Sequence, residues 1–580
     1  MKKLSRSFIA ILLVFTMLFS ANSTTSFAIG EQGNNPIYFV TNVLGGFIDG
    51  LIKLLGVLAP TPDYPTVEEY FAADSENFYE GTESFIDDAA DGAKWSLGFG
   101  KESVVPDNLR DGSKKYYTGG YFTQKVNGVF DDQKAVAIAL NDGSGRGTTI
   151  FASIDGIGVA NSDVRAIRSA VEQKLREKGI DSDINAININ ATHCHTVIDT
   201  QGIGLDLLPK ILLSFFGGAK RSVNTEFLEV MIDRSADAIV EAYTNTETGK
   251  LYYFEAADMG KDEEHGLYLE DEYPYLVNKR YYNENYQNFF ACFKFVPDNK
   301  ASAATIFTNI GAHPTLIDED TKLLSADFPA FMEKKINDAG MNFMFIQGAQ
   351  APVSVNKWAD LPENTINEVD AEIAVNPTAE DYKTAILFGY EFARLVLEAQ
   401  DNVKEIEPIL NVRMTEYTVQ LETGLLGYGA TEGFIGTTTV EDPESETGYS
   451  IVTEAGYIEI GKDIVLLTAP GEIVPQLIYG NVVTAEDSYH GTEWTYEATA
   501  DLIPEGKTVL VMGLCNDAIG YILPDNDFAH FMADLIWDAD GAEKLFGPYH
   551  RHYEEMLSAG SSAGSTTVTV LNGLAKSMNP

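Results

Sequence analysis

Apolar and polar residues recur with two different periods in the first third of the chain. Residues 134–141 and 148–154 are short, almost wholly apolar runs separated by a glycine-rich turn, and they predict two strands. Residues 161–178 carry an apolar face at helical spacing, formed by Val164, Ile167, Val171 and Leu175. Residues 184–191 alternate Ile and Asn and predict a third strand. The order strand, helix, strand predicts a βαβ unit, so this part of the sheet should be parallel.

Four more apolar runs predict core strands further along the chain: 304–310, 342–346, 463–467 and 508–512. Together these elements predict an α/β protein. We expect a mixed, largely parallel sheet with flanking helices, and an active site at the C-terminal ends of the strands. Because no Pro/Gly/Ser-rich linker divides residues 115–575, we expect one catalytic domain over residues 66–580.

The N-terminus has the features of a secretory signal peptide over residues 1–28. Its start is positively charged, residues 8–19 are almost wholly apolar, and Ser26-Phe27-Ala28 ends in the small-x-small pattern that signal peptidase reads. The apolar core is shorter than the ~20 residues of a bilayer span, which argues against a membrane anchor. We therefore expect a secreted, extracellular protein, with association to the cell surface left open.

Residues 29–65 predict a separate apolar or amphipathic segment before the catalytic domain. Within it, residues 37–59 are apolar but are interrupted by Asp49, Lys53 and several Gly. A membrane-spanning helix would tolerate these charges poorly. The pattern predicts an amphipathic helix that lies on the protein or on a membrane surface.

Charge narrows the range of partners. The chain has 86 acidic and 40 basic residues and a formal net charge of −46. This excess argues against binding to nucleic-acid phosphates and against electrostatic docking to anionic lipid. It suits a soluble secreted protein and one that binds divalent cations. Three cysteines, Cys194, Cys292 and Cys515, are interpreted as small buried residues, with metal ligation or a mutual disulfide as alternatives.

Polar clusters follow five of the predicted strands directly. They are Thr192-His193-Cys194-His195, Gly311-Ala312-His313-Pro314-Thr315, the loop 347–356, Pro470-Gly471-Glu472, and residues 516–521. In open α/β sheets, ligands bind outside the carboxyl ends of the strands. We therefore expect the five clusters to converge on one cleft.

The first cluster contains a His-x-His pattern. Because side chains alternate along a strand, His193 and His195 are expected on one face. Zinc favours imidazole nitrogen, accepts carboxylate oxygen, and in catalytic sites keeps one position open for water. On this pattern alone, a zinc site and a pair of solvent-facing or hydrogen-bonded histidines both stay open.

The order of the clusters resembles that of the neutral ceramidase family, which comprises secreted or membrane-associated zinc amidases. The matching motifs are Thr192-His193-Cys194-His195, Ala312-His313-Pro314, Ser325-Ala326-Asp327-Phe328-Pro329, Gln347-Gly348 with Ser354, Pro470-Gly471-Glu472, Asn516 with Gly520-Tyr521, and Tyr553-Glu554. Each motif is short, but their common order over roughly residues 115–575 makes the resemblance specific.

The resemblance implies a role for each candidate site residue. Zn²⁺ would be held by His193, His313, Glu472 and Tyr521. His195 would contact the bound water or the scissile carbonyl, and Ser354 would be the nucleophile or a donor that positions the amide. The cationic role falls to Lys279 or Arg280. Tyr553 would bind or protonate the transition state.

The implied activity is hydrolysis of the N-acyl bond of ceramide-like lipids to a sphingoid base and a fatty acid. Two alternatives stay open: a zinc amidase for another N-acyl compound, and a catalytically inactive, metal-stabilised surface or binding protein. Residues 196–200 replace the family's Gly-Pro-Gly, and Pro352 and Val355 flank the Ser354 region where the family has an acidic residue and Pro. No C-terminal immunoglobulin-like domain is expected.

An apolar stretch, residues 202–217, follows the His pair and is interrupted by Gly and Pro. It predicts a buried packing helix or an apolar flap at the mouth of the cleft, and its position next to a strand end favours the flap. In the flap, Leu207, Leu212 and Phe215 or Phe216 would contact lipid. Residues 37–59 and 202–217 are therefore the two segments considered for peripheral membrane contact.

Overall fold

Helices and strands alternate along the described part of the chain. The computed structural model describes residues 50, 61–73, 75, 77–120, 124–202, 221–256, 275–280, 287, 289–318, 321–422, 425–529, 552 and 554–579. Its α-helices are α1 (Val67–Ala72), α2 (Asp107–Arg110), α3 (Asn161–Glu177), α4 (Thr225–Thr244), α5 (Asp327–Asp338), α6 (Glu363–Val375), α7 (Lys383–Ala399), α8 (Leu425–Thr431), α9 (Pro475–Tyr479) and α10 (Ala563–Met578). Its β-strands are β1 (Trp95–Ser103), β2 (Tyr116–Tyr117), β3 (Lys125–Val126), β4 (Lys134–Asn141), β5 (Thr148–Ile154), β6 (Ile184–Ala191), β7 (Glu247–Ala256), β8 (Leu276–Asn278), β9 (Phe290–Pro297), β10 (Thr305–Ile310), β11 (Asn342–Gln347), β12 (Val353–Val355), β13 (Lys404–Glu405), β14 (Leu410–Gln420), β15 (Thr438–Glu441), β16 (Tyr449–Ile460), β17 (Ile464–Thr468), β18 (Glu472–Ile473), β19 (Thr508–Met512) and β20 (Tyr521–Ile522).

The larger sheet has nine strands, in the order β11-β10-β9-β7-β1-β4-β5-β6, with β13 beside β7. The pairs β10–β11 and β5–β6, at opposite ends of this order, are parallel. All pairs between them are antiparallel. The α/β class, the mixed sheet and the βαβ unit are therefore confirmed. The expectation of a largely parallel sheet is wrong, because β1, β7 and β9 join the two parallel ends through antiparallel pairs, which need no crossover helix.

The second sheet has five strands, in the order β14-β16-β17-β19, with β15 beside β16. Its β17–β19 pair is parallel and its other pairs are antiparallel. The predicted strands 463–467 and 508–512 are thus confirmed as strands, but they lie in a different sheet from the predicted strands before them. Consequently the strand-end clusters come from two sheets.

The two sheets pack face to face, and helices cover the outer face of each. Side-chain alternation separates the two faces of a strand: Ile138 packs into the core between the sheets, whereas Ala137 and Ala139 pack under α3 and α4. Helices α5 and α7 cover the β9–β11 end of the larger sheet, and α10 covers the second sheet. The result is a four-layer α/β/β/α arrangement whose central strands are buried on both faces.

Helix α3 shows how the local sequence leads to this packing. Its four predicted core residues are fully buried: Val164, Ile167, Val171 and Leu175. Burying apolar side chains of this size stabilises the fold by roughly 1.5–3 kcal/mol each. The helix ends at Glu177, and Gly179 follows with φ 69°, a left-handed conformation that Gly adopts without a steric penalty.

Strand ends from both sheets meet at one place. Gln347, the last residue of β11, donates from Nε2 to the carbonyl oxygen of Thr192, just beyond β6, at 2.9 Å. The segment after β19 lies between these ends, because Gly513 N donates to Gln347 O at 3.0 Å. Asn516 N in turn donates to Ile189 O in β6 at 2.7 Å. This segment covers the edge of β6 and brings the C-terminal ends of β6, β11 and β19 together.

Several sequence-based expectations concern residues outside those described. They are the signal peptide 1–28, nearly all of residues 29–60, and residues 203–217 with Leu207, Leu212, Phe215 and Phe216. No helix within the described ranges is both long and apolar enough to cross a membrane. The three cysteines are free and buried, as their interpretation as small buried residues predicts.

Candidate metal centre and cleft

His193 is held by its backbone as well as by its ring. Strand β6 ends at Ala191, and His193 has a φ of 68°. Its backbone N donates to Gly156 O at 2.8 Å, and its ring Nδ1 lies 2.6 Å from Ile157 O. Because a carbonyl oxygen only accepts hydrogen bonds, Nδ1 carries a proton, and in the neutral imidazole Nε2 presents a lone pair. His193 and His195 both reach the cleft, but the reason is this left-handed turn, not the strand alternation that we expected.

His313 is positioned in a similar way at the end of β10. The strand ends at Ile310. The backbone N of His313 lies 3.0 Å from Val353 O, and its ring Nδ1 lies 2.9 Å from the same oxygen. Its Nε2 therefore also presents a lone pair. The ring centroids of His193 and His313 are 4.7 Å apart, so the two lone pairs face a common space.

Glu472 completes a three-residue cluster with these histidines. It lies in β18, which pairs in parallel with β20 and places Glu472 opposite Tyr521. Glu472 Oε2 is 3.1 Å from His193 Nε2 and 3.2 Å from His313 Nε2. All three side chains are buried, and their ligand atoms lie within 4.8 Å of one another.

Burial and mutual contact shift the pKa values of the three groups. Burial disfavours a charged Glu472, but the two imidazoles outweigh it and hold the pKa of this carboxyl well below its usual range. At His193, burial lowers the pKa, yet the Glu472 carboxylate prevails and the net shift is upward. At His313, burial prevails, so its pKa is lowered. An ionised carboxylate therefore lies beside two imidazoles in a buried site.

The cluster has the donors that a divalent metal ion requires. Among the described residues, His313 Nε2 is buried and makes no hydrogen bond of normal geometry, although Glu472 Oε2 is only 3.2 Å away. A buried polar atom without a partner is costly, and a metal ion would satisfy it. Two imidazole nitrogens and one carboxylate oxygen form a ligand set that catalytic metal sites use. The residues present therefore fit a metal ion.

The cluster lies at the wall of a cleft. The cleft is lined by Gly120, Ile157, His193, His195, Gln201, Glu472, Leu514, Gly520, Tyr521 and Leu557. His195 Nε2 is 3.4 Å from His193 Nε2 but is not part of the three-residue ligand group. Three of the five predicted strand-end clusters thus contribute residues that line this cleft, and Tyr521 is among them.

Backbone strain concentrates around the same cleft. Within the described ranges, six residues other than Gly have a positive φ, and three of them are His193, Leu514 and Asn516. Such conformations cost of order 1–3 kcal/mol each and persist only where the surrounding structure enforces them. They occur here in the two segments that meet beside the candidate metal site.

Ser354 lies in β12 directly beside His313. The two residues form an isolated parallel bridge, and Ser354 is opposite Val277 of β8. Its side chain is buried. The structure therefore brings Ser354 next to a candidate ligand, although it is not among the described residues that line the cleft.

Arg280 lies in a second buried cluster. Its guanidinium contacts three carboxylates: Asp527 at 3.2 Å, Glu554 at 2.9 Å and Glu555 at 2.9 Å. Lys279, the alternative cation, is exposed. Of the two, Arg280 is thus the buried cation, and its contacts with described residues include these acidic side chains and His552. Tyr553 lies outside the described residues. Its two neighbours in the sequence, His552 and Glu554, both contact Arg280.

Two buried glutamines at the site were not identified from the sequence. Gln350 Nε2 donates to Glu472 Oε2 at 3.2 Å, and Gln201 lines the cleft while donating to Ala518 O at 2.6 Å. The signal for Gln350 is its place in the loop that follows β11. Gln201 has no comparable signal apart from lying six residues after His195.

Solved structures with a similar fold were found by structural comparison. The crystal structure of neutral ceramidase from Pseudomonas aeruginosa matches with a TM-score of 0.56 and 15% identity, covering 84% of this chain and 74% of that chain. A ceramidase complexed with C2 matches with a TM-score of 0.54 and 14% identity, covering 84% and 75%. No family model and no curated protein matches the chain. The neutral ceramidase-like fold that the motif order predicts is therefore confirmed.

Proposed function

We propose that this protein is an exported, zinc-dependent amidase that hydrolyses the N-acyl bond of ceramide-like lipids. The observation that carries the proposal is the buried His193, His313 and Glu472 cluster at a cleft wall, within a neutral ceramidase-like fold. In this reaction the amide C–N bond breaks and one water is consumed. The acyl carbon leaves as a fatty acid, and the nitrogen leaves, with an added proton, as the amine of a sphingoid base.

Zinc is the proposed ion because it combines imidazole nitrogen with carboxylate oxygen in catalytic sites. Tyr521 is the proposed fourth ligand, since it lines the cleft opposite Glu472. A bound zinc supplies Lewis-acid chemistry that polarises an amide carbonyl and raises the acidity of water. The protein's part is to present two imidazole lone pairs and one carboxylate in a fixed, buried geometry.

The remaining polar residues would move protons and orient the amide. His195 lies beside the ligands and lines the cleft, which suits a general base. Ser354 acts as a nucleophile that forms an acyl ester, or as a donor that orients the amide. Tyr553 donates a hydrogen bond or a proton to the transition state.

Arg280 suits a positioning role better than direct contact with substrate. It is fully buried, and it anchors Glu554 and Glu555, which follow Tyr553 directly. Leu557, a little further along, lines the cleft. Arg280 would therefore set the position of the segment that carries both Tyr553 and Leu557.

The location and domain boundaries belong to the same proposal. The signal-peptide pattern of residues 1–28 supports export, and residues 66–580 would form the catalytic domain after the segment 29–65. Residues 37–59 and 202–217 are the proposed contacts with a lipid surface. A long acyl chain gains about 0.8 kcal/mol per buried methylene against such apolar surface.

The direct test is turnover of a fluorescent N-acyl sphingosine by purified protein, with and without a chelator. We expect hydrolysis that the chelator abolishes and added zinc restores. Hydrolysis of short N-acyl amines but not of N-acyl sphingosine would favour a zinc amidase for another N-acyl compound. Zinc binding without turnover of either substrate would favour an inactive, metal-stabilised binding protein.

A further inference from the structure

Gln347 makes hydrogen bonds to the chain immediately before both histidine ligands. Its Nε2 donates to Thr192 O and to Ala312 O, at 2.9 Å in each case. Thr192 precedes His193 and Ala312 precedes His313 in the sequence. The one side chain therefore spans the two loops that carry the imidazoles, one from each end of the larger sheet.

The amide of Gln347 is fully used in this arrangement. Its Oε1 accepts from Ala312 N and from Gly348 N, at 3.1 Å in each case. A neutral amide has two N–H donors and two acceptor lone pairs, and all four are occupied here. The side chain is also completely buried. No other residue type of this size supplies the same two donors and two acceptors, so the arrangement requires Gln.

Gln350, three residues later, contacts the third ligand. Its Nε2 donates to Glu472 Oε2 at 3.2 Å. Its Oε1 is buried and has no hydrogen-bond partner among the described residues. Leaving a buried acceptor unpaired costs about 1–3 kcal/mol. An apolar side chain at this position would fill the same space without that cost. The contact with Glu472 gives a reason for this orientation.

We propose that Gln347 and Gln350 are positioning residues that hold the three metal ligands at binding distance. Gln347 sets the separation of His193 and His313 through the backbone, and Gln350 orients the Glu472 carboxylate. Outer partners of this kind affect metal affinity about 10- to 100-fold when they are replaced. The inference rests on the proposed metal site but concerns how that site is built.

The test compares zinc affinity and folding stability in three variants of the full chain. Gln347→Glu keeps the size but replaces both donors with an oxygen facing two carbonyls. Gln350→Met keeps the length and removes the contact with Glu472. Gln133→Glu is the matched control: Gln133 is equally buried and donates to Asp155 O and Ile198 O at 2.7 and 3.2 Å, neither of which is next to a ligand.

Zinc affinity is measured by competition with a chromophoric chelator, and the unfolding temperature is measured on the metal-free proteins. We expect Gln347→Glu and Gln350→Met to weaken zinc binding about 10- to 100-fold. Gln133→Glu should lower the unfolding temperature yet leave zinc affinity within about twofold of wild type. The inference would be overturned if all three variants bound zinc as tightly as the wild-type protein. It would also be overturned if the loss of zinc affinity in all three variants, including the Gln133→Glu control, simply paralleled the decrease in unfolding temperature.

Two further outcomes keep the proposals apart. If Gln347→Glu does not fold, Gln350→Met decides the matter, because it disturbs one side-chain contact and no backbone group. If the wild-type protein itself binds no zinc, the proposed function fails, and this inference fails with it. If wild type binds zinc tightly and both site variants match it, only the positioning role is wrong.

Discussion

Two buried clusters in this protein combine histidine with carboxylates, yet they differ in what lies at the centre. In the first, the Arg280 guanidinium contacts three carboxylates at 2.9–3.2 Å, with His552 beside them. In the second, the carboxylate of Glu472 is approached by the Nε2 atoms of His193 and His313. The residue types are similar, but the first cluster contains its own cation.

The difference shows how to distinguish an ion-pair network from a metal site. A guanidinium presents only donors, and each of the three carboxylates around Arg280 already contacts this cation. Backbone carbonyls accept from the Nδ1 atoms of both histidines, so both Nε2 atoms face the Glu472 carboxylate. An added cation would complete the second cluster, whereas the carboxylates of the first cluster already have the Arg280 guanidinium beside them.

The largest expected effect comes from removing a ligand. His313→Ala should reduce zinc content from about one per chain to near zero. A zinc binding free energy of about 10–16 kcal/mol shared among four ligands makes each worth about 2.5–4 kcal/mol, or roughly 70- to 900-fold in affinity. His552→Ala, in the other cluster, should keep its zinc. Metal analysis of the dialysed proteins checks both, and full occupancy in His313→Ala would break the comparison.

The next effect concerns the histidine beside the ligands. His195→Ala should keep zinc but lower turnover about 10²- to 10⁴-fold, because a general base contributes that much. Ser354→Ala should behave similarly. Parallel measurement of zinc content and hydrolysis separates this role from ligation. If His195→Ala loses its metal instead, His193 and His195 have been assigned the wrong way round.

Removing the Arg280 guanidinium should lower the stability of the fold and leave metal binding unchanged. Arg280→Met leaves three buried carboxylates without their partner, which typically costs about 3–5 kcal/mol. Arg280→Lys keeps the charge and should lose less. Urea denaturation measures both, and zinc content of the folded fraction should stay near wild type. A stability unchanged in Arg280→Met would show that these carboxylates do not depend on the guanidinium.

The smallest effect concerns carboxyls that burial keeps neutral. Burial raises the pKa of Asp131 to about 7, against contributions from Ser325 and Ala326 hydrogen bonds that lower it. The folded protein then binds an extra proton between pH 4 and 7, so this stabilisation is complete below about pH 4 and is lost as pH rises through 7. Asp131→Asn should remove up to about 1.4 kcal/mol per pH unit from this slope.

Unfolding free energies of wild type and Asp131→Asn at several pH values give the slope directly. Exposed Asp91→Asn is the control and should leave the slope unchanged. Identical slopes in wild type and Asp131→Asn would mean that Asp131 is ionised in the folded protein. Burial alone would then not determine whether a carboxyl is charged in this protein. The comparison of the Arg280 cluster with the Glu472 cluster, which treats their buried carboxylates by their partners, would then need revision.

Local patterns predicted those parts of the fold that depend on neighbouring residues. The face of α3 and the strands β4, β5 and β6 follow from short-range periodicity, and their bounds agree with the structure. The antiparallel strands β7 and β9 were not predicted, so the share of parallel pairs was overestimated. Membership of β17 and β19 in a second sheet depends on long-range pairing, which no local pattern reports.

The site was predictable where its residues follow strands. His193, His313 and Glu472 each come shortly after a core strand, and the order of the motifs linked them. Gln347 was noted as part of a motif, but its contacts with two loops appear only in three dimensions. Arg280 was considered for the cationic role because of its place in the sequence. Its carboxylate partners are more than 200 residues further along the chain, so the sequence pattern did not predict these contacts.

Anomalous diffraction from crystals grown with zinc tests the central claim most directly. Data collected on both sides of the zinc absorption edge locate the ion independently of activity. We expect one strong peak bounded by His193 Nε2, His313 Nε2 and the Glu472 carboxylate, with metal–ligand distances of about 2.0–2.2 Å. The absence of a peak there, or an ordered zinc ion only at another place such as the Arg280 cluster, would contradict the account.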